Sequence, residues 1–181
     1  MEKNKLAMLL FLGSEALFFL LLILVYGIFH GTPGWGQGGS RLLDPMRTAV
    51  FSAFLIASSV TVGLAHRAWR EKPSRAVSIW LAVTILLGAV FLYGQATEWW
   101  ELIHREVSVS RDLFGASFFT LTGFHGLHVL IGLTMIGILL ALSLSPEAQR
   151  VKPAAVDSIS YFWHFVDGVW VVIFTVVYLW Y

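Results

Sequence analysis

Cysteine is absent from this sequence, and charged residues are scarce. Without cysteine, the 181 residues can form no disulfide, thiolate-ligated metal site or iron–sulfur cluster of their own. Charged side chains make up 13% of the chain, against about a quarter in a soluble domain. Most of the surface must therefore face something other than water. A net charge of +1 provides no basic surface, so we expect no nucleic-acid partner.

Apolar residues are abundant instead and fall into long runs. They make up 57% of the chain, and 14 Phe, 8 Trp and 5 Tyr suit a protein in contact with lipid. A membrane-spanning helix needs about 20 mostly apolar residues. We predict an all-α membrane bundle, a single transmembrane domain over residues 1–181, with five spans. These spans cover residues 6–29, 47–67, 76–103, 113–144 and 156–181.

The segments between the spans carry turn residues or charges. The first, "HGTPGWGQGGSRLLDP", is rich in glycine and proline and cannot continue a helix. The first span itself resembles a signal peptide. However, its apolar stretch contains Glu15 and runs to Phe29, which is too long for a signal sequence. We expect it to be retained as a span.

Lysine and arginine counts predict the orientation. The amino terminus and the second and fourth loops carry eight of these residues, whereas the first and third loops carry four. Because cytoplasmic loops are enriched in Lys and Arg, we predict a cytoplasmic amino terminus and a carboxyl terminus outside.

Ionisable side chains within the predicted spans are the candidate functional residues. Such groups are costly in lipid unless they face protein, water or a partner. Six of the seven form pairs spaced i, i+3, so each pair shares a helix face. The candidates are Glu15, Glu98, Glu101, His125, His128, His164 and Asp167.

A metal site is one interpretation of these residues. His125 and His164 could in principle be the axial ligands of one haem, whereas His125 and His128 on one helix could not. A di-iron carboxylate site needs two Glu-x-x-His motifs, and the spans offer one, Glu101 to His104. Because the ligand set falls short, we predict no metal or cofactor in this chain.

Hydrogen bonding between helices is the interpretation we favour for His125, His128, His164 and Asp167. Three glycines near the two histidines of the fourth span, Gly123, Gly126 and Gly132, favour close helix packing.

The glutamates leave more alternatives open. For Glu15 we expect a protonated carboxyl bonded to a neighbouring helix, with proton handling or a lipid head-group contact as the alternative. Glu98 and Glu101 lie nearer the outer surface, and we expect them to be paired or hydrated structural carboxylates.

Four ordered motifs resemble subunit III of the haem-copper terminal oxidases, in the short five-helix bacterial form. They are "GSEALFFLLLILVYGIFHG", "GQATEWWEL", "TGFHGLHVLIG" and "YFWHFVDGVWVVIFTVVYLW". The resemblance covers nearly the whole chain, which begins at what would be the third helix of seven-span members.

This resemblance implies a non-catalytic accessory subunit without redox cofactors, in a bacterial inner (plasma) membrane. Haem and copper would lie in partner subunits I and II. The resemblance is also compatible with membership of a larger respiratory supercomplex. It also implies bound phospholipid and support for proton uptake by the catalytic subunit. Longer members can contact a lipid phosphate through an Arg directly after the fourth span, and Arg150 is the candidate substitute here.

Other functions remain open at the sequence level. Subunit III of a quinol oxidase and a subunit-III-like protein of nitric oxide reductase would have a similar length and number of spans. An independent carrier or lipid-binding protein would show inverted repeats and broken helices, and the sequence shows neither.

Overall fold

The computed structural model describes residues 3–35, 42–71, 75–145 and 151–180. Within these residues the chain forms five α-helices and no strand, and each helix is long and apolar enough to cross a membrane. This confirms the all-α, five-span prediction. The helices are α1 Lys3–Phe29, α2 Pro45–Glu71, α3 Arg75–His104, α4 Leu113–Ser143 and α5 Pro153–Phe174, and α5 continues into a π-helical segment, Thr175–Leu179. The candidate lipid contact Arg150 lies outside the described residues.

Local sequence explains where α2 and α4 begin. Pro45 occupies the first position of α2, where its fixed φ suits a helix and its missing N–H costs nothing. The Asp44 carboxylate accepts the N–H of Arg47 at 3.0 Å, and the Asp112 carboxylate accepts that of Gly115 at 2.5 Å. These aspartates satisfy backbone donors that the first helical turn leaves unpaired.

The helices pack with α5 near the centre and α1 at the edge. α5 contacts α1, α2 and α4, and α3 packs between α2 and α4. α1 packs against α4 and α5, and it is the least buried of the five helices. Much of its apolar surface therefore faces lipid or another protein.

The loop after α1 is fixed to the start of α4. The N–H groups of Leu113 and Phe114 donate to the carbonyls of Gly34 and Trp35, at 3.1 and 3.3 Å. Buried Trp35 also packs edge-on against Phe114, with ring centroids 5.5 Å apart. We call this end of the bundle, where α5 finishes, the C-terminal end, and the opposite end the N-terminal end.

Glycines on α4 accommodate tryptophan rings from neighbouring helices. A Cβ atom at Gly132 would lie 2.7 Å from the ring of the fully buried Trp163 on α5, and one at Gly123 would lie 3.1 Å from Trp99 on α3. Gly126 has no such neighbour within 4 Å. The expectation of close packing is therefore wrong for Gly126, because its position on α4 faces open space.

Candidate functional site

Hydroxyl groups on α2 bind the two indoles of α5. Ser52 accepts the Nε1–H of Trp170 at 2.8 Å, and Ser58 accepts that of Trp163 at 2.9 Å. All four side chains are buried. A serine is small enough to let the indole approach, and its oxygen satisfies an N–H that would otherwise be unpaired in an apolar interior.

Ser59 joins the candidate residues His164 and Asp167. Its hydroxyl donates to Asp167 Oδ2 and lies 3.0 Å from His164 Nδ1. Because a serine hydroxyl has one hydrogen, the bond to Asp167 requires His164 to donate from Nδ1. Asp167 is buried and His164 is exposed. Because they lie on one face of α5, His164 and Asp167 can both bond to the same serine of α2.

A half-buried ion pair links α2 and α5 at the N-terminal end. His66 Nε2 lies 2.6 Å from Asp157 Oδ1, and Arg70 donates to both oxygens of Asp157 at 3.2 and 3.4 Å. Together with the three serine contacts it forms a continuous series, which we call the α2–α5 ladder. The ladder consists of the contacts Ser52–Trp170, Ser58–Trp163, Ser59–His164–Asp167 and His66–Arg70–Asp157.

A second polar group, which we call the Glu98 cluster, lies at the C-terminal end. Buried Glu98 accepts the Tyr178 hydroxyl at 2.5 Å through Oε2, and its Oε1 lies 3.0 Å from the Thr48 hydroxyl. Arg47 donates to Glu101, whose side chain is 51% exposed. Glu98 and Glu101 thus separate, one inside the bundle and one at its surface. The cluster comprises Arg47, Thr48, Glu98, Glu101 and Tyr178.

The π-helical segment brings Tyr178 to Glu98. Within Thr175–Leu179 the backbone follows i to i+5 hydrogen bonding, which is rare and is often found at functional sites. Tyr178 is fully buried there, and its hydroxyl is one of the two groups bonded to Glu98.

Glu15 on α1 pairs with His128 on α4. His128 Nδ1 lies 2.7 Å from the carbonyl of Phe124, and its Nε2 lies 3.0 Å from Glu15 Oε2. A carbonyl can only accept, so Nδ1 carries a hydrogen. One further proton must then lie between Nε2 and Oε2, on either atom. The pair is electrically neutral as a whole in both arrangements, which suits its half-buried position.

His125 is enclosed by aromatic rings. It is fully buried and stacks on Trp170 at 4.8 Å, with Phe91 and Phe19 edge-on at 6.0 and 6.3 Å. Its two nitrogens have no hydrogen-bond partner among the described residues. His125 and His128, predicted to share a face, therefore have different surroundings. A haem ligated by His125 would have to displace these rings.

The described residues contain no cluster of side chains that could form a metal site. No group of three or more His, Asp or Glu side chains there is close enough to hold a metal ion.

Sequence reasoning missed the neutral members of both polar groups. It considered only ionisable residues, whereas the partners of the buried carboxylates and indoles are Ser, Thr and Tyr. A signal was present, since α2 carries five hydroxyl residues within a predicted span, and such side chains form hydrogen bonds between helices in membranes. They are Thr48, Ser52, Ser58, Ser59 and Thr61.

Comparison with known proteins identifies relatives over almost the whole chain. The family model for cytochrome c oxidase subunit III matches residues 1–181. Cytochrome c oxidase subunit 3 of Corynebacterium diphtheriae is 38% identical over an alignment of 177 residues, and the match covers 94% of this chain and 84% of the relative. The Synechocystis protein of the same name is 37% identical, covering 94% and 72%. Cytochrome bo(3) ubiquinol oxidase subunit 3 of Pseudomonas aeruginosa is 36% identical, covering 94% and 81%.

Proposed function

The chain belongs to the cytochrome c oxidase subunit III family, and we propose that it is the non-catalytic accessory subunit of an aerobic, proton-pumping haem-copper oxidase. Its partners would be subunits I and II, which would hold the haem and copper. The observation that carries this proposal is the family match over residues 1–181. The proposed location is the plasma membrane of a bacterium, with the amino terminus in the cytoplasm.

The polar contacts support a structural rather than a redox role for the buried residues. Glu98 is bonded to Tyr178, and Asp167 to Ser59. His128 is bonded to Glu15, and the rings around His125 leave it little room for a ligand. These contacts hold the five helices in one arrangement, which a partner subunit could then recognise as a rigid surface.

The exposed side of His164 is a candidate contact for the catalytic subunit. His164 lies close to the middle of α5 and is exposed, although its Nδ1 is held by Ser59. An imidazole facing lipid at this depth is costly, and such groups usually meet protein. We therefore assign this surface of α2 and α5 to subunit I.

The exposed surface of α1 is the candidate site for phospholipid. Most of its apolar side chains lie outside the bundle, for example Leu10, Leu21 and Ile28, which are each more than 60% exposed. Glu15 and His128 interrupt this surface with a half-buried polar pair. Acyl chains packed along α1 would cover the apolar surface, and this pair would then lie at the lipid–protein boundary, where it could support proton uptake by the partner.

The electron donor could be a cytochrome c or a quinol, and the relatives' names support both. The Corynebacterium diphtheriae and Synechocystis relatives are named for cytochrome c oxidase, and the Pseudomonas aeruginosa relative for ubiquinol oxidase. We favour the cytochrome c type, which is also the name of the family model.

Affinity purification in mild detergent tests the proposal. With a tag on this chain, we expect a haem-copper catalytic subunit to co-purify and to consume oxygen with cytochrome c. Removing this subunit should leave the haem spectrum of the complex intact but shorten its working life during turnover. Recovery of a nitric oxide reductase, of no partner, or of a haem that remains with this polypeptide alone would overturn the proposal.

A further inference from the structure

A small cavity lies beside Glu98, between α2, α3 and α5. Its volume is about 10 Å³, and its lining includes Arg47, Gln95, Glu98 and Trp170. That volume is about the minimum that a single water molecule requires. The cavity is therefore large enough for one water and is bordered by a carboxyl, an amide and a guanidinium.

Gln95 is a buried polar residue beside this cavity. Its side chain is 8% exposed, and neither Oε1 nor Nε2 has a hydrogen-bond partner among the described residues. Leaving a buried amide unbonded is costly, and a buried amide without a protein partner is usually bonded to an ordered water. A water in the cavity could accept from Nε2 or donate to Oε1 and also reach Glu98.

A second cavity lies next to the first, toward the C-terminal end of the bundle. It also measures about 10 Å³, and Arg47 and Glu98 line it too, together with Asp44, Glu101 and Arg105. The side chains of Arg47 and Glu101 are 34% and 51% exposed. A water molecule that reaches Glu98 would therefore come from the C-terminal end of the bundle, past this charged rim.

Thr48 allows Glu98 to be either protonated or ionised in the same place. Its hydroxyl oxygen lies 3.0 Å from both Glu98 Oε1 and the carbonyl of Asp44. When Glu98 is ionised, Thr48 donates to it. When Glu98 is protonated at Oε1, the carboxyl donates to Thr48, whose single hydrogen turns to Asp44. No heavy atom has to move, and Tyr178 continues to donate to Oε2.

We propose that Gln95 and Glu98 bind a water molecule through which Glu98 exchanges its proton with solvent at the C-terminal end of the bundle. In the uptake step, a hydronium ion in the cavity transfers its proton to Oε1 and remains as water. Release is the reverse. This inference goes beyond the accessory role and does not depend on which oxidase the subunit serves.

The charged and titratable groups that face this exchange come from several elements. Asp44 and Arg47 lie at the start of α2, Glu101 and Arg105 at the end of α3, and Tyr178 in the π-helical segment. Arg47 is paired with Glu101 and therefore links the start of α2 to the end of α3.

Infrared spectroscopy of the intact purified complex tests the proposal. The C=O band of the protonated Glu98 carboxyl is identified by its loss in Glu98→Gln. In the unaltered complex this band should shift in heavy water, because deuterium replaces the carboxyl proton. Gln95→Leu should slow this shift by about tenfold, because the water loses a hydrogen-bond partner. Thr97→Val is the matched control, since Thr97 on α3 bonds only to the carbonyl of Gly94 among the described contacts, and it should leave the rate unchanged.

Three outcomes would overturn the proposal. They are the absence of a Glu98 carboxyl band at every accessible pH, a band that does not exchange, and an exchange rate that Gln95→Leu leaves unaltered. If Gln95→Leu does not assemble, Gln95→Met also removes the amide and has a more flexible side chain.

A high-resolution density map of the complex gives an independent test. We expect one ordered water bonded to Gln95 and Glu98. A Gln95 amide bonded to a partner subunit instead would contradict the proposed site.

Discussion

Individual residues in this bundle depend on partners far away in sequence. Glu15 is flanked by apolar residues, yet its bonded partner His128 comes from α4. The indole N–H of Trp163 donates to Ser58, which lies more than a hundred positions earlier in the sequence. Each contact satisfies a polar atom that lipid could not satisfy, so removing one member leaves the other exposed to an apolar environment.

The Glu15–His128 pair should show this dependence. Glu15→Leu leaves His128 Nε2 without its partner, and we expect a loss of about 1 kcal/mol in the stability of the assembled protein. Glu15→Gln keeps a donor for Nε2 and should cost less. Reversible unfolding in mixed micelles measures both variants. Equal losses for the two would indicate that the hydrogen bond contributes nothing.

Glu15 should also be the carboxyl that a hydrophobic carbodiimide modifies. Its side chain is 22% exposed at the apolar surface of α1, and the reagent partitions into lipid and reacts with protonated carboxyls. Mass spectrometry of the labelled protein should find the adduct at Glu15 and not at Glu71, which lies exposed at the end of α2. Equal labelling at the two positions would contradict the expectation.

The hydrogen bond between Ser58 and Trp163 should matter more than a comparable serine at the surface. Ser58→Ala leaves a buried indole N–H unpaired, which should cost about 1–3 kcal/mol. Ser14→Ala is the control, because exposed Ser14 bonds only to the carbonyl of Phe11 in its own helix among the described contacts; its effect should stay within about 0.5 kcal/mol. Thermal unfolding of the detergent-solubilised protein compares the two. A larger loss for Ser14→Ala would refute the assignment.

At the scale of elements, the packing joins small residues to large rings. α5 and α3 supply tryptophans, α2 supplies hydroxyls to those of α5, and α4 supplies glycines where the rings would otherwise collide. This arrangement differs from close contact between two glycine-lined backbones, because the helices are separated by an indole. A glycine is therefore needed only at the positions of α4 that face a tryptophan ring.

Two glycines of α4 should therefore respond in opposite ways. In Gly132→Ala the new methyl group would meet the Trp163 ring, which is held in place by Ser58, and we expect a loss of about 1–3 kcal/mol. Gly126→Ala adds a methyl group in open space and should stabilise α4 by up to about 1 kcal/mol. Unfolding measured by circular dichroism distinguishes them. Similar changes in both variants would show that the indole can move aside.

At the scale of the whole molecule, the His66–Arg70–Asp157 contact and the Glu98 cluster lie toward opposite ends of α5. The His66–Arg70–Asp157 contact closes the N-terminal end, and the Glu98 cluster closes the C-terminal end. Between them, the serine contacts of the α2–α5 ladder form a line of polar groups inside the bundle, while α1 remains at the edge. The family is a subunit of a multi-subunit oxidase, and the predicted orientation would put the Glu98 cluster on the outer side of the membrane.

Single cysteines can test this orientation, because the natural chain has none. Glu71 and Ser110 are both exposed, and they lie in opposite end regions of the bundle. In intact cells, a membrane-impermeant maleimide should label Ser110→Cys, whereas Glu71→Cys should react only after the membrane is opened. The reverse pattern would invert the topology and place Glu98 on the cytoplasmic side.

The sequence alone determined the class of the protein and the extent of its helices. Apolar runs of the length of a bilayer require helices, because backbone groups in lipid must bond within their own segment, and each helix begins within three residues of its predicted start. The four motifs were sufficient to identify the family. Tertiary structure decided which polar atoms meet: that Glu98 faces Tyr178 and Thr48, that one hydroxyl joins His164 to Asp167, and that His125 and His128 diverge. Periodicity places a side chain on a face of its helix, but the partner on the next helix depends on how the helices pack, which no local pattern encodes.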